Sequence, residues 1–179
     1  MKNDYISQIH EKDKKVLHPY EDLKFRGTYN RKLIVRSENI YLYDEDGKKY
    51  IDGPGGMWCN NIGHGNKEIA EAVKIQIEKM DYCSPFSEST EPAAELASVL
   101  ADLSPGDLNT IFFTTDGSTA NDSALRFIMM YNNMLGRPNK KHIISRDKAY
   151  HGSTYLTGSI TGKDREKNSF DFEKNFIHH

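Results

Sequence analysis

Residues 110 to 131, TIFFTTDGSTANDSALRFIMMY, decide the fold of this chain. The run from Thr110 to Thr115 is β-branched and aromatic, which favours a strand, and Asp116-Gly117-Ser118 then favours a tight turn. Apolar residues recur at helical spacing after the turn: Ala120, Ala124, Phe127, Ile128 and Tyr131. The stretch therefore predicts a strand, a turn and a helix in direct succession.

The same alternation of elements extends to both sides of this stretch. Amphipathic helices are predicted from Asn66 to Met80 and again after Pro92. Downstream, Gly136-Arg137-Pro138 ends the central helix, residues 142–145 form a further strand, and the turn at residues 149–153 opens another helix. Strands that alternate with helices indicate an α/β domain with a largely parallel sheet.

The first third of the chain has a different pattern. Residues 1–32 are polar with scattered aromatics, which predicts an irregular arm rather than a packed core. Residues 40–43 and 49–51 flank Asp46-Gly47, a pair that favours a β-hairpin between them. Residues 52–65 hold five of the 13 glycines, so we expect a loop there.

Composition excludes several classes of function. The 24 basic and 26 acidic side chains leave a net charge of −2, so the clustered basic excess that binds nucleic acid or an anionic membrane is missing. No apolar run approaches the 18 or so residues of a membrane span, and the N-terminus lacks an apolar signal segment, which predicts a cytoplasmic protein. Cys59 and Cys83 are expected to be buried reduced thiols rather than a disulfide or a metal site.

Two predicted strand-to-helix turns hold the candidate binding residues. Gly117 and Ser118 begin a helix, where unpaired N–H groups and the positive end of the helix dipole attract anions. The plainer interpretation, which these residues alone favour, is that Ser118 or Thr119 caps the helix. At the next turn Tyr150 could stack on a flat cofactor beside His151, or the two could be a rim residue and a structural hydrogen-bond partner.

Other motifs are ambiguous or fail. Trp58, the single tryptophan, lies in the glycine-rich loop and is either a pocket wall or part of the core. Residues 158–163 have one residue too few between their glycines for a phosphate-binding P-loop. No Gly-x-Ser-x-Gly motif of a serine hydrolase occurs.

Taken in order, these motifs resemble the N-terminal part of the class III (omega-amino acid type) aminotransferases. The resemblance implies an α/β chain of the type I aminotransferase fold, truncated, with pyridoxal 5'-phosphate as cofactor. It further implies an N-terminal arm and β-hairpin segment over residues 1–60 and the first part of the large domain over residues 61–179. The matching segments are His18-Pro19-Tyr20 and residues 43–53, 58–65, 68–73, 112–118, 120–122, 136–138 and 144–154.

The resemblance also assigns roles to residues. Gly117 and Ser118 would hold the cofactor phosphate, and Tyr150 would stack on its pyridine ring with His151 beside it. The substrate-binding residues implied are Tyr20 and Trp58 in the pocket wall, and Phe86 near the active site of a neighbouring subunit of a homodimer.

Departures from the family pattern shape the functional hypothesis. Asp116 and Thr119 stand where the family usually has serine and glutamate, so a carboxylate lies next to the implied phosphate. No residue here matches the Schiff-base lysine, so no catalytic residue is assigned. The leading hypothesis is the N-terminal part of a transaminase that moves an amino group from an omega-amino acid or amine to pyruvate or a similar oxo acid, inactive as 179 residues. The alternative is a non-catalytic short protein that binds a phosphate compound or pairs with a longer aminotransferase.

Overall fold

The computed structural model describes residues 2–163, 167 and 170–179. The chain divides into two compact units, Met1–Glu88 and Ser89–His179, which are described separately below. The expected boundary between an arm segment and a large domain at residues 60 and 61 stays a prediction about the complete protein.

The first unit is built around a small antiparallel sheet. Strand β2 pairs with β1 on one side and with β3 on the other, so the sheet order is β1-β2-β3. Its elements are α1 (Lys2–Asp13), β1 (Ile34–Glu38), β2 (Tyr41–Asp44), β3 (Lys49–Ile51), α2 (Gly55–Trp58) and α3 (Lys67–Lys79). The predicted hairpin and the predicted helix after residue 66 are both confirmed.

A carboxylate holds the hairpin turn together. Asp44 is buried and accepts hydrogen bonds from the backbone N–H groups of Asp46 and Lys48 and from the Tyr50 hydroxyl at 2.7 Å. The hydrogen bond from Tyr50 is the main reason why the pKa of Asp44 lies below its ordinary value. The turn that Asp46-Gly47 predicts is thus fixed from both strands.

Three features of the first unit differ from expectation. The arm predicted to be irregular begins with helix α1, in which Ile6, Ile9 and His10 share one half-buried face. The sequence pattern did not predict strand β1, because residues 34–38 show no alternation of apolar and polar side chains. In the structure all five of these residues are exposed. Both cysteines are free thiols, but neither is buried, contrary to expectation: Cys59, at the end of the loop helix α2, is exposed, and Cys83 is half-buried.

The second unit contains the helix that decides the fold. Helix α5 starts at Gly117, inside the turn predicted over residues 116–118, and the helices predicted after Pro92 and after residue 153 are also present. The elements are α4 (Glu91–Leu103), α5 (Gly117–Met134), β4 (Ile143–Ile144), α6 (Tyr155–Ile160) and β5 (Ile177–His178). No helix in the described parts of the chain combines the length and the apolar character needed to cross a membrane.

The strand predicted over residues 110–115 is wrong for this chain. The segment is not assigned to a strand, because a strand needs hydrogen-bonded neighbours and no described segment pairs with it. The strand predicted at residues 142–145 is present only as Ile143–Ile144, which pairs in parallel with Ile177–His178. The parallel sheet is thus represented by two short strands.

Few apolar side chains are buried. Among the described residues, only Ile160 and Ile177 form a buried apolar core, while the apolar stripes of α3 and α4 remain exposed. The accessible surface is 14671 Å², whereas a folded monomer of 20.5 kDa would expose roughly 9,000 Å². The apolar faces of these helices are therefore open to solvent in this structure.

Candidate functional site

The start of helix α5 is closed by a capping box. The Asp116 carboxylate accepts the N–H of Thr119 at 3.0 Å, and the Asp116 N–H donates to the Thr119 hydroxyl at 3.2 Å. The interpretation that Ser118 or Thr119 is the cap is therefore wrong, because Asp116 takes that position and Thr119 is its reciprocal partner. The Ser118 hydroxyl is left to make a different contact.

That contact joins the two predicted turns. The Ser118 hydroxyl accepts the N–H of Ser153 at 3.2 Å, and the Asn121 amide donates to the His151 carbonyl at 2.8 Å. One face of the first turns of α5 thus holds the loop over residues 149–153. Sequence reasoning assigned no role to Asn121, and the resemblance at residues 120–122 was the only signal that pointed to it.

A buried group of hydroxyls packs tightly under this loop. Thr161 accepts the N–H of His151 at 3.0 Å and donates to the Thr157 carbonyl, and both threonine side chains are fully buried. Gly152 has φ +141°, and a Cβ there would collide with the side chains of Thr157 and Ser118. We call the contact between the start of α5 and the loop over residues 149–153 the junction. It requires glycine at position 152 both for the backbone conformation and for space.

The residues at this junction fit a flat aromatic compound that carries a phosphate. Nothing lies within 4 Å of where a Cβ of Gly117 would be, so an anion can approach the backbone closely. Tyr150 is 51% exposed, and the Lys163 ammonium lies 4.9 Å from the centre of its ring. His151 is half-buried in the same turn.

Asp116 opposes an anion at the start of α5 by its charge. Its hydrogen bond from the Thr119 N–H, helped by the Thr115 hydroxyl at 3.1 Å, lowers the pKa of Asp116 below its ordinary value. The carboxylate therefore stays ionised at neutral pH and offsets part of the positive potential at the helix N-terminus.

The three substrate-binding candidates lie on separate segments of the first unit. Tyr20 is in the arm with φ +58°, Trp58 is at the end of α2 with φ +68°, and Phe86 follows α3. All three side chains are exposed, and Trp58 at 76% exposure is not a core residue. The alternative interpretation of Trp58 as core is therefore wrong for this structure.

Sequence reasoning missed a hydrogen-bonded group next to Trp58. His64 Nε2 lies 2.8 Å from a carboxylate oxygen of Asp52, and His64 Nδ1 lies 2.7 Å from the amide nitrogen of Asn60. We call Asp52, Asn60 and His64 the loop clip. The only signal for it was the density of polar residues in the glycine-rich loop.

The loop clip predicts how the stability contributed by Asp52 depends on pH. The hydrogen bond from His64, followed by the N–H of Gly56, lowers the pKa of Asp52. The pKa of Asp52 is lower in the folded chain than in the unfolded chain. Its contribution to the free energy of unfolding is therefore complete above the ordinary aspartate pKa of about 3.9 and is lost as the pH falls through the folded pKa. Carboxyl ¹³C NMR should place the Asp52 midpoint below that value and move it upward in His64→Ala. A midpoint at or above the ordinary value would contradict the clip.

No metal site is indicated in the residues that the structure describes. Within them, no group of three or more His, Cys, Asp and Glu side chains is arranged to hold an ion. The chemistry that the second unit offers is therefore anion binding at α5 and contact with an aromatic ring at Tyr150.

Comparison with known families and proteins shows what the chain is similar to. The family described as aminotransferase class-III matches residues 26–178. Gamma-aminobutyrate transaminase 1, mitochondrial, from Oryza sativa subsp. indica is 40% identical over 149 residues, which are 82% of this chain and 29% of that protein. Vanillin aminotransferase from Capsicum annuum is 38% identical over 82% of this chain and 32% of its own length. The chain thus spans about a third of these relatives.

Solved structures give the same result. An (S)-enantioselective omega-transaminase from Thermomicrobium roseum superposes with a TM-score of 0.91 and 34% identity, covering 97% of this chain and 39% of that one. The omega-transaminase from Pseudomonas jessenii, solved in complex with PMP, gives a TM-score of 0.90 and 36% identity over 95% of this chain and 38% of that one.

Proposed function

The chain belongs to the class III aminotransferases, and on that premise we propose that it supplies the N-terminal part of a pyridoxal phosphate-dependent transaminase. It has the type I aminotransferase fold of its solved relatives and covers 39% of the length of the first of them. The proposed reaction moves an amino group from an omega-amino acid or an amine to pyruvate or a similar oxo acid. The junction of α5 with the 149–153 loop is the observation that carries this proposal.

Each residue at the junction has a proposed task toward the cofactor. The backbone N–H groups of Gly117 and Ser118 and the Ser118 hydroxyl bind the phosphate at the helix N-terminus. Tyr150 holds the plane of the pyridine ring, and His151 lies beside it. When bound, pyridoxal phosphate supplies the electron sink of the reaction, while these residues bind and orient it.

The proposed substrate pocket uses Trp58, Tyr20 and Phe86 as aromatic walls. Support comes from a thermostable omega-transaminase of similar fold, in which replacing a tryptophan by glycine was part of engineering for bulky amines. A second variant of that enzyme combines changes at a tryptophan and a phenylalanine for the same purpose. Large exposed aromatics at such positions would limit the size of the amino donor.

The wider setting of the protein also stays a proposal. We place the chain in a homodimer and expect a polypeptide of only these 179 residues to be inactive, because no lysine here matches the one that holds the cofactor covalently. The cytoplasmic location stays a prediction. The exposed apolar faces of α3 and α4 favour one form of the alternative, pairing with a longer aminotransferase chain.

A binding titration tests the cofactor site without needing the missing lysine. The 179-residue chain should bind pyridoxamine 5'-phosphate more tightly than pyridoxamine, because only the former has a phosphate for the start of α5. Ser118→Ala should reduce that difference by calorimetry, because it removes the hydroxyl but keeps the two backbone N–H groups. Equal affinity for the two compounds in the unmodified chain would contradict the proposed phosphate site.

The substitution Asp116→Ser tests how the negative charge of Asp116 affects phosphate binding. Serine can still cap α5, but it removes the negative charge beside the phosphate. The affinity for pyridoxamine 5'-phosphate should rise about tenfold, while the affinity for pyridoxamine, which lacks the phosphate, should stay unchanged. An equal gain for both compounds would show that Asp116 acts through the shape of the site and not through charge.

A further inference from the structure

The backbone that carries Trp58 is in an unfavourable conformation. Met57 and Trp58 have φ values of +59° and +68°, a left-handed region that non-glycine residues rarely occupy. Such residues persist only where the surroundings hold them. The Trp58 N–H donates to the Pro54 carbonyl at 2.8 Å, which lies within the same short turn.

The loop clip supplies the restraint from outside this turn. The Asp52 side chain is 6% exposed, and one of its oxygens accepts both from His64 and from the N–H of Gly56, the residue before Met57. Because the Asn60 amide donates to His64 Nδ1, the proton lies on Nε2 and is donated to Asp52. The clip thus joins both ends of the loop across Trp58.

The clip is itself anchored to the sheet. Backbone hydrogen bonds of 2.9 and 2.7 Å pair His64 with Asn39, which connects strands β1 and β2, and Asp52 directly follows β3. Movement of the loop therefore requires either breaking the clip or disturbing the sheet.

From these contacts we infer that Asp52, His64 and Asn60 are positioning residues that hold the backbone of Trp58, and with it the place from which the indole forms a wall of the amino-donor pocket. The pocket part of this inference rests on the proposed function. The restraint on Trp58 does not, since it follows from the loop alone. The expected consequence is that the size limit on the donor depends on His64, which need not touch the donor.

The single tryptophan makes the restraint directly measurable. In time-resolved fluorescence anisotropy of the 179-residue chain, a held indole shows a large slow component from tumbling, whereas a loose one loses it to nanosecond motion. His64→Ala should lose most of the slow amplitude. His64→Gln should restore it, because the glutamine amide can donate to Asp52.

Tyr50→Phe is the matched control, since it removes a 2.7 Å side-chain hydrogen bond in the same unit but outside the loop. It should leave the slow amplitude unchanged. The inference is overturned if Trp58 stays held in His64→Ala, if His64→Gln fails to restore it, if Tyr50→Phe loosens it equally, or if the unmodified chain already shows a loose indole. Failure of the proposed function is read separately, from the pyridoxamine 5'-phosphate titration.

Discussion

A purified polypeptide of these 179 residues is expected to form no detectable alanine from pyruvate with any omega-amino acid or amine. Transamination by this family needs a lysine that bonds to the cofactor and moves the proton, and none of the lysines here matches that residue. Enzymes commonly turn over about 1 to 10³ times per second, so the expected rate lies at least about 10⁴-fold below that range.

Coupled detection of alanine, with a complete omega-transaminase measured in parallel, checks this expectation. The parallel enzyme shows that cofactor, donor and acceptor are competent under the chosen conditions. Turnover by a sample whose intact mass matches these 179 residues would show that another amine performs the chemistry. In that case we would have to abandon the proposal that this chain binds the cofactor but contains no lysine that bonds to it.

The substitution Gly152→Ala should have the largest structural effect at the candidate site. The new Cβ would meet Thr157 and lie 2.8 Å from the Ser118 hydroxyl, at a φ of +141° that alanine rarely adopts. Overpacking and backbone strain together should cost about 3 kcal/mol. Amide hydrogen exchange of α6 and of the Ser153 N–H should accelerate about 100-fold.

Gly106→Ala separates the two causes of this effect. Gly106 also has a positive φ, +65°, but nothing lies within 4 Å of its added Cβ. Backbone strain alone should cost about 1 kcal/mol there, with no change in exchange at α6. If the two variants accelerate exchange of α6 equally, the close packing of Ser118, Gly152 and Thr157 is not what holds the junction together.

Local patterns in the sequence predicted helices α3, α4 and α5 well, but not α1. Helices α3, α4 and α5 follow from apolar residues at helical spacing and from nearby cap or stop signals, all within one short window. The hairpin followed from Asp46-Gly47 for the same reason. The start of α5 was placed correctly, although its cap proved to be Asp116.

Features that depend on distant partners were harder to predict. The strand expected at residues 110–115 has the composition of a strand, but its pairing would have to come from neighbours that the described residues do not provide. The loop clip joins Asp52 to His64 across 12 positions of irregular backbone, where no periodicity applies. The bond from Asn121 to His151 spans 30 positions and was equally invisible.

Reduction with borohydride in the presence of pyridoxal phosphate tests the central claim most directly. The claim is that this chain binds the phosphate and ring of the cofactor but contains no lysine that bonds to it. After reduction, peptide mass spectrometry should find only low, scattered modification of surface lysines, while pyridoxamine 5'-phosphate still binds reversibly. Stoichiometric modification of a single lysine that pyridoxamine 5'-phosphate prevents would contradict the claim.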